Sequence, residues 1–448
     1  MDKFNTRNAS GQQPNAEGPG LDQKDPDPME QTLGRLDQEV DLEASARSSG
    51  ALVRHRGIRR AKDLLRIVLA YGVLDYSLNL LGMWSVMLGL ANISKTALLK
   101  RLRKCQPWLG ELVVWVLMQH KLLFPAPARL RVKLIDASVI TQPGSQGADW
   151  RLHLGFNLQQ SCMDWIQITD GKGSESLTRF EFGPGDLCIV DRGYALMSSI
   201  GYALTQEAWL IARIGWFRQP GLKHADGSRF DIVDWLKKSS LPAGEQPTVT
   251  DVWLFTASQQ YPLRLIAQPL PQQAAEEARR RLRKEAKKKG RTVQQNSLFA
   301  AGFMLLITNL PPLDWDTLQV LELYRFRWQI ELAFKRLKSL TGIDNLRTKD
   351  PQLAQTYLSA KILAALLVDN FLLQVQARFP EWFVSLEHPL SLWRLTALYW
   401  EQVRDIVRGQ ITLDQFWAAF PKLRRFLCDA PRKRTSQRAH AQVIFSRL

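Results

Sequence analysis

Two short segments of the chain share one design. Val132-Lys133-Leu134-Ile135 reads as a strand closed by Asp136 and followed by Ala137 and Ser138, and Leu187-Cys188-Ile189-Val190 reads as a second, followed by Asp191-Arg192-Gly193-Tyr194. A carboxylate at a strand end is held in place by the strand while its oxygens stay open to a ligand at the sheet edge. Two such ends on one sheet would set two carboxylates side by side. A third acid lies downstream, where Arg327, Glu331 and Lys338 follow Tyr324 by three, seven and fourteen positions. At about 100° per residue these four share one helical stripe roughly 60° wide. Leu323, Phe326, Ile330, Ala333, Phe334 and Leu337 form a separate apolar stripe suited to packing that helix on a sheet.

Each feature has a bland explanation. Asp at a strand end is often a turn former or a helix cap, and Arg327 with Glu331 makes an ordinary i,i+4 pair worth about 0.3 kcal/mol. Neither explains the tyrosine and lysine in line, or the two aspartates upstream. Phosphodiester transfer accounts for all of them. It requires an oxygen nucleophile activated by one metal ion and a leaving oxygen stabilised by a second, roughly 4 Å away. Asp136, Asp191 and Glu331 are the candidate ligands, and hard carboxylate oxygens suit two Mg²⁺ ions, with Mn²⁺ as a substitute, better than zinc. Arg327 and Lys338 would hold the flanking phosphates, Tyr324 would hydrogen-bond the backbone or stack, and Arg192 and Lys335 are further candidate DNA contacts.

These motifs resemble the DDE transposases of the insertion-sequence-four type, marked by a Y-x2-R-x3-E-x6-K signature. Tyr324, Arg327, Glu331 and Lys338 match it at every spacing, Asp136-Ala137-Ser138 resembles the first aspartate's setting, and Asp191-Arg192-Gly193-Tyr194 resembles the second's. The likeness runs from about residue 58 to about residue 410. It implies an α/β fold: an RNase H-like mixed sheet with a β-rich insertion between Asp191 and Glu331, flanked by helical regions at both ends. It also implies a homodimer on paired terminal inverted repeats, double-stranded DNA as substrate and target, and cut-and-paste movement through DNA hairpins. Hairpin-forming relatives carry a tryptophan near the strand before the signature helix. The corresponding stretch here is Phe303-Met304-Leu305-Leu306, so Phe303, Met304 or Trp253 is the candidate replacement. An enzyme that cuts without joining, and an inactive DNA-binding inhibitor of transposition, remain as alternatives.

The elements that must position these residues follow from pattern. Residues 1–50 carry ten acids and five bases among Gly, Pro, Gln and Asn, and read as a disordered leader. Residues 51–125 have helical periodicity; Ser77 to Leu88, then Gly89 and a helix capped by Ser94, resembles helix-turn-helix, with Lys95, Lys100, Arg101, Arg103 and Lys104 on its second helix. The alternative is an ordinary solvated basic face. Residues 126–345 alternate strands with helices as the catalytic domain, with an insertion over 215–302 and one long helix expected from about Trp315 to Leu340. Residues 346–448 are helical and end in a basic tail with Arg424, Arg425, Arg432, Lys433 and Arg434.

Charge supports the same partner. Sixty Lys and Arg against 43 acids give a formal net charge of +17, which favours a polyanion through counterion release. Nine bases fall within Ala278 to Arg291, a density beyond what solubility requires, so Arg279, Arg280, Arg283, Lys287 and Lys288 are candidate DNA contacts. The uncharged stretch Tyr76 to Asn92 is short for a membrane span and broken by polar residues, and reads as buried helix. There is no lipidation motif or signal peptide, so no membrane partner is expected. Four scattered cysteines without a CxxC pair indicate a reducing, cytoplasmic setting near the nucleoid.

Overall fold

Leu187-Cys188-Ile189-Val190 shows no polar alternation because both faces of its strand are covered. The computed structural model describes residues 33, 36–123, 130–217, 221–239, 246–256, 259–380, 391–411, 418–419 and 422. Its strands are β1 (Arg131–Ile140), β2 (Trp150–Asn157), β3 (Cys162–Asp170), β4 (Asp186–Val190), β5 (Trp209–Ile214), β6 (Leu222–Lys223), β7 (Thr248–Phe255), β8 (Gln260–Pro269) and β9 (Phe303–Thr308). They form one nine-stranded sheet in the order β3-β2-β1-β4-β5-β9-β8-β7-β6. β1, β4 and β5 run parallel, and the other neighbours are antiparallel. Leu187 and Ile189 belong to one hydrophobic core and Cys188 and Val190 to the other, on opposite faces of the sheet. Parallel strands buried on both sides read as continuous apolar runs, and each such side chain contributes roughly 2 kcal/mol. This is the mixed α/β architecture expected of an RNase H-like domain.

Asp186 opens β4 as a buried charge, compensated by Arg131 at 2.8 Å, Lys133 at 3.0 Å and the Gly183 amide at 3.0 Å. It therefore pins the edge of the sheet opposite to the site. Strands β6 to β8 come from the segment assigned to the insertion, and they continue the sheet beyond β9 instead of forming a separate layer.

The helices are α1 (Leu42–Ser48), α2 (Ala61–Val73), α3 (Leu78–Met87), α4 (Lys95–Leu102), α5 (Gln106–Leu123), α6 (Met197–Thr205), α7 (Ile232–Lys238), α8 (Gln272–Lys288), α9 (Gln295–Ala300), α10 (Thr317–Arg325), α11 (Trp328–Thr341), α12 (Pro351–Arg378) and α13 (Leu392–Arg408). Helices from the two ends of the chain pack on each other: α12 lies against α2 and α5 in a shared core. Close packing there needs Gly72, where a Cβ would come 2.7 Å from that of Ala360. α12 is long and apolar enough to cross a membrane by length and composition, but 67% of its apolar window is buried inside the protein, as in a core helix.

Three expectations change. The assigned leader is too long, because α1 lies inside it, Leu42 and Ala46 are fully buried, and Ser45 accepts the Trp108 indole N–H at 2.9 Å. A few apolar side chains at the right spacing suffice to dock that segment, and average composition hides them. The leader before residue 33 and the basic tail lie outside the described residues. The long helix expected from Trp315 to Leu340 is instead two, α10 and α11. Between them the Phe326 amide bonds Leu323 and the Arg327 amide bonds Tyr324, a tight three-residue pattern that shifts the helical phase. Phe326 is thereby turned out to 46% exposure and leaves the apolar stripe. No Gly or Pro marks this break, so it carries no sequence signal.

Candidate active site

The register of the sheet builds the site. Ile135 on β1 is level with Val190 on β4, so the next positions, Asp136 and Asp191, are neighbours across a strand spacing of about 4.8 Å. β1 does not end at Asp136, as its sequence suggested; it stays paired to β2 as far as Ile140. What ends there is β4, and the vacated edge is the site. Asp136 shares its face with Val132 and Leu134, and Asp191 shares its face with Leu187 and Ile189; this is the core that also takes Ile330, Ala333, Phe334 and Leu337 of α11. Both aspartates therefore face the helix that carries Glu331.

Each aspartate is partly held by its own backbone. Asp136 Oδ1 accepts the Ala137 amide at 2.8 Å, and Asp191 Oδ1 accepts the Gly193 amide at 2.7 Å. Asp136 Oδ2 lies 3.9 Å from Arg327, whose other guanidinium nitrogen is bonded to Glu331. One guanidinium thus spans the first and third carboxylates. Burial pushes the Asp136 carboxyl up to about 6, with further upward pressure from Asp191 and Glu175, opposed by the Ala137 amide and Arg327.

The turn after Asp191 is braced from below. Tyr194 is fully buried and its hydroxyl hydrogen-bonds His153 Nδ1 at 2.8 Å, while His153 Nε2 reaches Thr169 Oγ1 at 3.0 Å. Burial, with Arg179 and Arg151 nearby, lowers His153 to about 4, so the imidazole is neutral at ordinary pH. The network orients the Asp191 turn and carries no charge of its own.

Tyr324 is 7% exposed, and its hydroxyl proton has no acceptor among the described residues, while Arg213 stands beside the oxygen as a donor. It lies within electrostatic reach of Arg327, Arg213 and Asp191. A buried hydroxyl without an acceptor costs about 1–3 kcal/mol, and a phosphate oxygen would satisfy it. Arg192 falls below its ordinary value through partial desolvation and the proximity of Arg213, an arrangement an anion would relieve. Lys338 is half-buried two turns beyond Glu331, whereas Lys335 lies over the Trp393 ring at 6.0 Å, turned toward α13.

The residues fit a divalent cation in donor chemistry, with oxygen ligands on fixed strands beside a position already occupied by positive charge. Among the described residues, no three of His, Cys, Asp or Glu are gathered closely enough to hold a metal. Glu331 is the outlying member, drawn to Arg327 and 51% exposed. Asp136 and Glu331 thus share the Arg327 guanidinium, with Asp191 beside Asp136 on the next strand.

The structure separates the basic candidates. Arg280, Arg283, Lys287 and Lys288 on α8 are exposed. Arg279 instead donates to the Leu298 carbonyl at 3.1 Å and packs over Gly302, holding α9 in place. Glu285 on α8 is within electrostatic reach of Arg192, so the basic helix lies close to the site. On α4 and just past its end, Arg101 donates to the Ala51 and Arg54 carbonyls and Arg103 pairs with Asp350 at 2.5 Å, while Lys95, Lys100 and Lys104 are exposed.

Several site residues escaped the sequence reading. Arg213 projects from β5 on the site face, and a lone charge in Trp-Leu-Ile-Ala-Arg-Ile was a usable signal. Glu175 sits in a loop without a motif. Among the aromatic candidates, Trp253 on β7 is four strand spacings from β4 and does not reach the site, while Phe303 packs on Phe299 at 5.4 Å. Trp216 and Phe217, just beyond β5, are nearer: a Cβ on Gly215 would touch the Arg192 side chain at 3.2 Å, and Phe217 is 72% exposed.

A family profile described as "Transposase DDE domain" matches residues 231–367. The InsL protein of insertion sequence element IS186A from Escherichia coli K12 is 38% identical over 353 residues, covering 78% of this chain and 94% of the relative. The transposase of insertion sequence element IS421 from Escherichia coli is 38% identical over 354 residues with the same coverage. The transposase of insertion sequence element IS231F from Bacillus thuringiensis subsp. israelensis is 25% identical over 277 residues, covering 55% of this chain and 57% of the relative.

Proposed function

This chain belongs to the DDE transposases of bacterial insertion sequences, of the insertion-sequence-four type, and from that premise we propose that it cuts its element at terminal inverted repeats and joins the freed ends to target DNA, using Asp136, Asp191 and Glu331. It is an enzyme that acts on DNA. The observation that carries the residue assignment is the parallel register that makes Asp136 and Asp191 neighbours on the face receiving the Glu331 helix. Bound between these carboxylates, two Mg²⁺ ions, or Mn²⁺ in their place, would activate the attacking oxygen and stabilise the leaving one.

The protein's own residues supply the remaining steps. Arg327 holds Glu331 and Asp136 in the free protein, and an incoming phosphate competes for its guanidinium and releases Glu331 toward the two aspartates. Tyr324 donates its hydroxyl proton to the DNA backbone. Arg192, Arg213 and Lys338 bind flanking phosphates, with Lys335 at the margin. For a hairpin route, Trp216 and Phe217 offer aromatic surface to an unpaired base near Arg192. Pairing of element ends by a homodimer completes the reading, and its setting is the cytoplasm, where the DNA lies.

The test uses the full chain with linear DNA carrying both element ends and a supercoiled target. Expected are Mg²⁺-dependent nicks at the ends followed by joined products. Nicks without joining would assign a nuclease, and end binding without nicks an inhibitor; either overturns the proposal.

The exposed face of α8 makes a quantitative prediction. Replacing Arg280, Arg283, Lys287 and Lys288 together by Ala should flatten the dependence of log affinity on log salt by about 3 to 4. Arg279→Ala should instead lower thermal stability, because that side chain is spent on Leu298. An unchanged salt slope in the fourfold variant would remove α8 from the DNA interface.

A further inference from the structure

Glu175 belongs to none of the motifs above, yet the fold delivers it to the second aspartate. After β3 the chain turns back sharply at Gly171 and Gly173, where a Cβ would lie 1.7 Å from the Ala148 carbonyl oxygen and 2.1 Å from Thr169 Oγ1 respectively. This tight return carries Glu175 over the turn that follows β4. A Cβ on Gly193 would come 1.9 Å from Glu175 Oε2 and 3.1 Å from Asp191 Oδ1. The two carboxylates therefore converge on the space that glycine leaves open, which gives a physical reason for Gly in Asp191-Arg192-Gly193. On its other side Glu175 Oε1 is 3.3 Å from Arg151 of β2.

Two acids so close repel unless a cation stands near them. Arg151 pairs with Glu175 and Arg192 lies within electrostatic reach of Asp191, but among the described residues no basic side chain bonds Asp191 Oδ1, which takes the Gly193 amide. Burial raises the Glu175 carboxyl above its ordinary value, Arg151 lowers it, and Asp191 raises it again, so it senses both neighbours.

We propose that Glu175 is a fourth carboxylate of the cation site, a positioning residue that adds negative charge beside Asp191 and strengthens divalent-ion binding, with Arg151 as its counter-ion in the free protein. This rests on the assignment of Asp136 and Asp191 as cation ligands. Removing a charged neighbour of a metal ligand weakens ion affinity by roughly 10- to 100-fold. Removing Arg151, which competes for Glu175, acts in the opposite direction.

The experiment is a calorimetric titration of the full-length protein, without DNA, with Mn²⁺. The variants are Glu175→Gln, Glu175→Asp, Arg151→Gln, Asp136→Asn and Asp191→Asn. Glu175→Gln should raise the half-saturating Mn²⁺ concentration roughly tenfold, Glu175→Asp should recover most of that loss, and Arg151→Gln should lower the concentration below the wild-type value. A merely structural role for Glu175 would not yield opposite shifts from the two members of one ion pair. If Glu175→Gln does not fold, the direction of the Arg151→Gln shift decides. Curves for Glu175→Gln and Arg151→Gln that superimpose on wild type, with binding abolished in Asp191→Asn, would overturn this inference and leave the site intact. Wild-type binding in Asp136→Asn and Asp191→Asn would overturn the site assignment itself.

Discussion

Asp136→Asn, Asp191→Asn and Glu331→Gln should each lower the rate of strand nicking at element ends by at least about a thousandfold, equivalent to about 4 kcal/mol of barrier. DNA affinity should hold or rise, because in the proposed site Arg192, Arg213, Arg327 and Lys338 meet the phosphates and each change removes a negative charge facing them. Asp136→Asn carries a second signature. The folded-state carboxyl of Asp136 is raised to about 6, chiefly by burial, above the value near 4 of an unfolded chain. Its protonated form therefore favours the folded state at low pH, and that contribution is lost as pH rises through about 6. The neutral amide should accordingly raise the melting temperature at pH 8, with the gain fading toward pH 4. Loss of activity together with gain of stability is what a carboxylate held for chemistry produces. Gel-resolved nicking, DNA binding and melting curves at the two pH values check all three outcomes. Near-wild-type nicking by any one of the variants would remove that residue from the site.

Lys361→Met should destabilise the protein by about 2–3 kcal/mol. Lys361 is fully buried in α12; its Nζ bonds the Thr341 carbonyl at the end of α11, lies 3.2 Å from Asp75, and sits 4.8 Å over the Tyr357 ring. Methionine fills the volume but donates nothing, so the Thr341 carbonyl loses the ammonium donor and Asp75 is left with the Tyr357 hydroxyl. The cost stays toward the low end because Asp75 is 38% exposed and can rehydrate. The consequence reaches the site through α11, which ends at Gly342 in the left-handed conformation just past Thr341 and carries Lys338 in its last turn. Denaturant melts of the variant should show the loss, and nicking at saturating DNA should fall less than for the carboxylate variants. A melt equal to wild type would show that the buried ammonium does not hold this junction.

Much of the proposed catalytic equipment was legible from local pattern. Asp136 and Asp191 stood out because each follows a strand-like run, and Tyr324, Arg327, Glu331 and Lys338 because of their spacing. The alternation of strands with helices in the catalytic domain and the helical character of the C-terminal region follow the pattern read from periodicity, since hydrophobic alternation reports which faces are buried. The leader was overextended because α1 docks through a handful of apolar contacts. The continuous signature helix was wrong at one turn, because the shift of phase at Phe326 and Arg327 is imposed by packing and not by a helix-breaking residue. Arg279 looked like its neighbours in a basic run, and only the position of Leu298 distinguishes it.

The linear order of residues determined the candidate chemistry: which carboxylates and bases are proposed for it, how much positive charge, and a strand–helix alternation that admits a mixed sheet. Tertiary structure decided the placement. It set Asp136 level with Asp191 through a parallel register spanning fifty-five positions of chain, laid Glu331 across Arg327, brought α8 to Arg192, and carried Glu175 to Gly193 from a loop with no recognisable pattern. Residue type and short-range spacing are properties of the chain itself, whereas register and convergence depend on burying both faces of one sheet at once, a condition no local window of sequence contains.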